Sequence, residues 1–218
     1  MDLIFEDWGL IPYELALTKQ LELVETLHKQ ELPGYLIFCQ HPPVVTLGRA
    51  TQPGDVFAWK GDTVEVSRGG RATYHGPNQL VVYPILNLTR PRKGRSSHEI
   101  AGYLRTLESA IAQVISGYGV ANVVGRSLQK NPLTQVENNE TGVWIGTQKI
   151  ASLGIGVRKW ITFHGAAINL IEDPEAFQGM NPCGLKSNVM TSLEKETGKP
   201  IDIDEFKKRL RSHLAEVL

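Results

Sequence analysis

The stretch Gly142 to Ile171, "GVWIGTQKIASLGIGVRKWITFHGAAINLI", decides the fold. It contains three runs rich in β-branched, aromatic and apolar residues, "GVWIGT", "QKIASLGIGVR" and "WITFHGAAINLI", separated only by small turns. Such turns leave no room for the crossover helices of a βαβ chain. Working outward, "YLIFCQ" (35–40), "HPPVVTLGR" (41–49), "TVEVSRGG" (63–70) and "QLVVYPILNL" (79–88) add strand-like runs punctuated by proline and glycine. Helical spacing is confined to three places. In "PYELALTKQLELVETL" Leu17, Leu21 and Val24 share a face behind Pro12. In "SSHEIAGYLRTLESAIAQVISGYG" Ile100, Tyr103, Leu104, Leu107, Ile111, Val114 and Ile115 do, with Ser96 and Glu99 spaced as a capping box and Gly117 and Gly119 as stops. In "DIDEFKKRLRSHLAEVL" the face is Ile203, Phe206, Leu210, Leu214 and Val217. The pattern predicts an α+β fold, a mixed and largely antiparallel sheet flanked by helices. The length of 218 residues, with no repeat or low-complexity linker, predicts one domain over 1–218.

Composition narrows the function classes. Hydrophobic residues make up 41% and charged residues 21%, no apolar run is long enough to span a bilayer, and "MDLIFEDWGL" lacks the character of a secretory or transit segment. A cytoplasmic protein without membrane partners is expected. Lysine plus arginine balances aspartate plus glutamate at 23 each, so no global field gathers nucleic acid. The loop "TRPRKGR", with Arg90, Arg92, Lys93 and Arg95, reads as a docking patch or as a solvated turn. Two cysteines, Cys39 and Cys183, suit a reducing compartment and have no metal-ligand spacing, so no metal is expected. The phosphate-binding GxxxxGK[ST] pattern is missing, and "GIGVRKW" is a partial glycine pattern preceding a strand.

Four segments have the residue types of a chemical site. In "GMNPCGLKSN" (179–188) proline and glycine flank Cys183 and place it on a constrained bend, as a nucleophile or as a half-buried loop thiol. In "SRGGRATYHGPNQLVVY" (67–83) Gly69, Gly70 and Gly76 permit close backbone approach, and Arg68 and His75 supply donors; a plain hairpin with a solvated arginine is the alternative. Lys149 opens an apolar strand, where burial favours release of its proton, or reaches water from a sheet edge. His164, followed by Gly165, Ala166 and Ala167, is either a ligand contact or a structural histidine. As a general base, His75 and His164 compete with Lys149.

Taken in series, "HPPVVTLGR", "RGGRATYHGPNQLVVY", "KIASLGIGVRKWITFHGAAINL" and "NPCGL" followed by "TSL", spread over residues 41 to 193, resemble the octanoyltransferase family of lipoate biosynthesis, also called lipoyl(octanoyl) transferases. Asn78 departs from the pattern, standing where the family usually has glycine. The resemblance implies the fold shared with biotin and lipoate protein ligases, an acyl-thioester nucleophile at Cys183 and a general acid/base at Lys149. It implies an acyl pocket walled by Arg68, Gly69, Gly70, Arg71, Ala72, Thr73, Tyr74 and His75, by Ser152, Leu153 and Gly154, and by His164, Gly165, Ala166 and Ala167, with oxyanion donors among the backbone amides of "RGGRATYH" and "SLG". It further implies octanoyl acyl carrier protein as donor, the lipoyl domains of 2-oxoacid dehydrogenases and the glycine cleavage H protein as acceptors, and no cofactor. An amidotransferase moving octanoate between lipoyl carrier proteins, an ATP-dependent ligase, and a non-catalytic module that binds acyl carriers are the rival readings.

Overall fold

The computed structural model describes residues 3–91, 96–125, 141–185 and 187–218. Arg92, Lys93 and Arg95 of the basic loop, and most of the polar stretch 129–142, lie outside the described residues.

The chain runs β1 (Ile4–Leu10), α1 (Tyr13–Lys29), β2 (Tyr35–Gln40), β3 (Val44–Leu47), β4 (Asp62–Glu65), β5 (Thr73–His75), β6 (Gln79–Ile85), α2 (Ile100–Ser116), β7 (Val123–Gly125), β8 (Gly142–Ile145), β9 (Gln148–Arg158), β10 (Ile161–Asn169), α3 (Leu193–Thr197) and α4 (Ile203–Val217). Seven strands form one sheet in the order β1-β2-β6-β10-β9-β8-β7, and β4-β3-β5 form a smaller one. In the large sheet only β1 and β2 pair parallel, so the expected mixed, largely antiparallel α+β arrangement is present. The β9–β10 hairpin closes through Lys159 and Trp160, both at positive φ (53° and 61°), the geometry of a two-residue turn that matches strand twist. Glycine is the usual residue there. The strain is offset by Lys159 Nζ on Glu25 at 2.9 Å and by the Trp160 ring packed edge-on against His98.

Both faces of the large sheet are covered, which is why its central strands read as continuous apolar runs. Leu36 and Phe38 of β2 and Leu80 and Val82 of β6 face α2 and α4, meeting Tyr103, Leu107, Ile111, Phe206, Leu210 and Leu214. Their neighbours Tyr35, Ile37, Cys39, Val81 and Tyr83 face α1, meeting Ala16, Val24 and Leu27. Helix α2 begins later than a capping box would place it: Glu99 is the N-cap and makes no side-chain cap bond, and its carboxylate pairs instead with Arg105 at 2.9 Å. Ser96 therefore has no capping role, and Ile100 is 37% exposed rather than buried on the apolar face.

A proline sits inside the central strand β6, and the neighbouring strand accommodates it. The β6–β10 ladder runs from Gln79↔Asn169 to Val82↔Ala166 and stops before Pro84, which has no N–H to donate. Gly165 makes this junction possible, because a Cβ there would strike the Val82 carbonyl. Beyond it the Thr162 amide donates to the Leu86 carbonyl at 3.0 Å and the Thr162 hydroxyl completes the junction, donating to the Pro84 carbonyl at 2.8 Å and accepting from the Leu86 amide at 2.9 Å. Thr162→Val keeps the shape but leaves the buried Leu86 amide unpaired, while the Pro84 carbonyl keeps the Tyr103 hydroxyl at 3.3 Å. The change should cost about 1–3 kcal/mol in urea denaturation. A loss below the error of the measurement would show that the hydroxyl is not what completes the strand.

Candidate active site

Residues 180 to 191 are fastened at both ends. Met180 bridges Val56 and the Asn181 amide donates to the Asp55 carbonyl at 2.7 Å; at the far end Met190 bridges Lys149 and the Thr191 amide donates to the Lys149 carbonyl at 3.0 Å. Between them the Cys183 amide donates to the Ala72 carbonyl at 2.8 Å. Cys183 itself is left-handed (φ 56°, ψ 21°), a conformation costing a non-glycine residue about 1–3 kcal/mol that persists only where the surroundings impose it. Pro182 before it is buried, and Gly184 after it lies against the Arg71 guanidinium so closely that a Cβ has no space.

This bend brings the thiol to Lys149, 34 residues away in sequence, with Nζ to Sγ at 3.5 Å. Lys149 is 1% exposed, with its ammonium 5.4 Å from the Trp144 ring centroid. Gly142 on the adjacent strand makes room for it, since a Cβ there would lie 2.6 Å from Lys149 Cε. Cys39 is a contrast: it is fully buried in β2, and burial pushes its thiol well up, which leaves it inert.

Cys183 stands at the partly exposed end of a narrow cleft with a volume of about 40 Å³. Arg68, Gly70, Arg71, Thr73 and His75, then Ser152, Leu153 and Gly154, then His164, Gly165, Ala166 and Ala167 line it, as three segments of the sequence converge. Gly69, Ala72 and Tyr74 do not. The alternation of β5 sends Thr73 and His75 into the cleft and Tyr74 to the opposite side, where it packs on Trp59 and Phe177 and donates to Asp173 at 3.2 Å. Ala72 contributes its carbonyl to the Cys183 bend, and the Gly69 amide docks the glycine loop on the Ile155 carbonyl. Arg68 is 6% exposed and folds that loop around its own guanidinium, donating to the carbonyls of Gly69, Arg71 and Thr46 and to the Thr46 hydroxyl.

The floor is polar and uncharged. Tyr13, His41, His75, His164 and Tyr83 form a continuous ring cluster, and sequence reasoning missed Tyr13, His41 and Tyr83, whose only cue was the histidine in "QHPP". His41 Nδ1–H donates to the Ile11 carbonyl at 2.7 Å, so its Nε2 accepts from the Tyr83 hydroxyl, also at 2.7 Å. Burial, only partly opposed by the Ile11 carbonyl, lowers His41 to about 4; burial and then the Arg68 charge lower His164 to about 3. Burial also drives His75 well below its ordinary value. All three are neutral near pH 7, which makes them poor matches for proton transfer there. Among the described residues no cluster of histidine, cysteine and carboxylate side chains has the arrangement of a metal site, and no helix is long and apolar enough to cross a membrane.

The sheet is sandwiched between helices, Lys149 and Cys183 face each other over a narrow cleft, and residues 12–215 match the family described as the lipoyl protein ligase A/B catalytic domain. The solved lipoate-protein ligase A bound with ATP superposes with a TM-score of 0.70 over 100% of this chain and 85% of that one, at 16% identity, which establishes the ligase-type fold. The octanoyltransferase of Bdellovibrio bacteriovorus is 59% identical over 100% of this chain and 99% of its own length, and that of Citrifermentans bemidjiense 41% identical over 94% and 92%. The chain belongs to the octanoyltransferase family.

Asp55 is the supporting residue with no signal in the sequence. At 1% exposure it accepts Arg71 through both carboxylate oxygens and the Gln52 amide at 2.9 Å, while its carbonyl holds Asn181, two residues before Cys183. Burial pushes its carboxyl up, but Arg71 and the amides of Gln52 and Ala72 outweigh that and hold it below its ordinary 3.8. A depressed folded value means a stabilisation that is complete above 3.8 and lost as pH falls through the folded value. Asp55→Asn should therefore be less stable than wild type by about 2 kcal/mol at pH 7. The gap should narrow as the pH is taken below 3.8; urea midpoints that stay equally separated at both pH values would refute this linkage.

Proposed function

We propose that this chain transfers an octanoyl group from octanoyl acyl carrier protein to the target lysine of lipoyl domains through a thioester on Cys183, and that the described residues act as one catalytic domain. The 3.5 Å approach of Lys149 Nζ to a strained, partly exposed Cys183 Sγ carries the reading. The Cys183 thiolate attacks the donor thioester carbonyl, and collapse of the tetrahedral intermediate breaks the bond to the phosphopantetheine sulfur. That sulfur leaves with the proton of the Lys149 ammonium. The acceptor lysine, arriving as a neutral amine, attacks the octanoyl-enzyme and gives its proton to the Lys149 amine, while Cys183 departs as thiolate. An amide forms at the expense of a thioester, so ATP is not needed. The neutral imidazoles of the floor favour lysine over histidine as the proton carrier. Burial of the octanoyl tail along Leu153, Ala166, Ala167 and Val81 contributes about 4–6 kcal/mol, at roughly 0.8 kcal/mol per methylene.

Incubation with octanoyl acyl carrier protein in the absence of ATP should add one octanoyl group to the intact protein, and added lipoyl domain should remove it. Cys183→Ser should fold and form no thioester, whereas Cys39→Ala should load normally. Lys149→Arg, which keeps the charge but holds its proton, should slow both half-reactions by a hundredfold or more, within the roughly 10²–10⁴ typical of general acid–base catalysis. Turnover by a folded Cys183→Ser protein would sink the covalent route, and a near-normal Lys149→Arg with an inactive His164→Ala would move the acid/base to histidine. Loading only from an octanoyl-lysine carrier would favour the amidotransferase reading.

A further inference from the structure

Tyr13 belongs to none of the motif segments, yet it lines the cleft that Cys183 opens. Gly70 is exposed and Cys183, Arg71 and Ser152 are partly exposed, whereas Tyr13, Tyr83 and His164 are 4%, 2% and 2% exposed, so Tyr13 belongs to the buried part of the lining, away from the mouth that Cys183 opens. We infer that the Tyr13 ring is the stop that sets the longest acyl chain the cleft accepts, a role that rests on reading the cleft as the acyl site.

The ring cannot swing aside. It stacks on His75 at 5.4 Å and 23°, lies parallel to His164 at 6.4 Å and 17°, and is crossed by His41 at 5.1 Å. Its hydroxyl is hydrogen bonded to His164 Nδ1 at 3.1 Å. Its backbone is equally fixed, because Pro12 caps α1, the Ile11 amide donates to the Gln40 carbonyl and the Ile11 carbonyl accepts from His41. The position of His164 is in turn imposed by a left-handed backbone (φ 58°) whose amide donates to Gln20 of the same helix at 2.7 Å. Pushing past the ring would also cover polar atoms with alkyl chain: His164 Nε2, buried, has no protein partner among the described residues. The walls before the stop are the small or aliphatic side chains of Ala166, Ala167, Val81 and Leu153. A second cavity of about 140 Å³ lies on the Tyr74 side, but its lining carries Asp173, Glu172, Lys195, Asn169 and Gln79 and does not include Cys183, so it does not fit an acyl tail on that cysteine.

The test is acyl loading of Cys183 from hexanoyl, octanoyl, decanoyl and dodecanoyl acyl carrier protein, followed by intact mass. Tyr13→Ala and the milder Tyr13→Leu should raise decanoyl loading relative to octanoyl by about tenfold, the worth of two newly buried methylenes. Tyr13→Phe, which keeps the ring, should hold the same length limit even if it loads more slowly. The structure of octanoylated wild-type enzyme should place the terminal methyl against the Tyr13 ring, a readout that needs no variant. An unchanged chain-length profile in folded Tyr13→Leu, or a terminal methyl lodged in the second cavity, overturns the proposal. Failure of wild-type protein to load any acyl group overturns the function itself, a separate result.

Discussion

The hydrogen bond from the Cys183 amide to the Ala72 carbonyl is the constraint on which the site depends. It joins a segment that would otherwise be an irregular loop to the small sheet, while the Met190 bridge ties the same segment to β9 of the large sheet. The two sheets share no strand, so this segment helps fix the distance between a thiol held from one and an ammonium held from the other. Strain at Cys183 is the consequence: a left-handed residue between Pro182 and Gly184 turns its side chain out of the bend and toward Lys149. A relaxed loop would leave the thiol free to sample rotamers, and the near-contact would be lost for most of the time.

Buried charge is handled in two ways around this bond. Asp55 and Arg71 neutralise each other and brace the bend at the wall of the cleft, with Arg71 also filling the space that Gly184 leaves open. Arg68 has no carboxylate among its hydrogen-bond partners and is satisfied by carbonyls of the loop it organises and by Thr46. A guanidinium bonded in this way fixes backbone more than it binds ligand, which is a narrower role than its place among the pocket residues implied. Its charge nevertheless reaches the floor, where it adds to burial in keeping His164 neutral.

Much of this was legible in the sequence because it is local. The continuous apolar runs "YLIFCQ" and "QLVVYPI", the short turns between β8, β9 and β10, and the proline and glycine around Cys183 are properties of a few adjacent residues. What was not legible depends on partners far along the chain. β1 reads as an acidic, mixed segment and becomes a strand only by pairing with β2 beyond a whole helix. The spacing of Ser96 and Glu99 suits a capping box, but Glu99 meets Arg105 instead and the helix starts after it. Tyr74 lies in the same motif as His75, and strand alternation alone separates them; the density of the motif hid that the two faces serve different cavities. Asp55, Tyr13 and His41 come from stretches whose local pattern is ordinary, and only the fold brings them to the bend and the floor.

The cleft therefore has two ends built on different physics. At the mouth, Lys149 Nζ and Cys183 Sγ lie 3.5 Å apart in a partly exposed setting. Deeper in, three imidazoles and two phenols are packed so closely that ionising any of them is penalised; they hydrogen bond to one another, to backbone and to the Thr46 hydroxyl, while His164 Nε2 has no partner among the described residues. An apolar chain meeting a neutral, rigid floor is not repelled by charge, but it gains nothing by pushing further once the rings block the way. On the proposed reading, reactivity and chain selection belong to separate elements, the bend at 180–191 and the start of α1, linked through the glycine and alanine run of β10 that leaves the space between them.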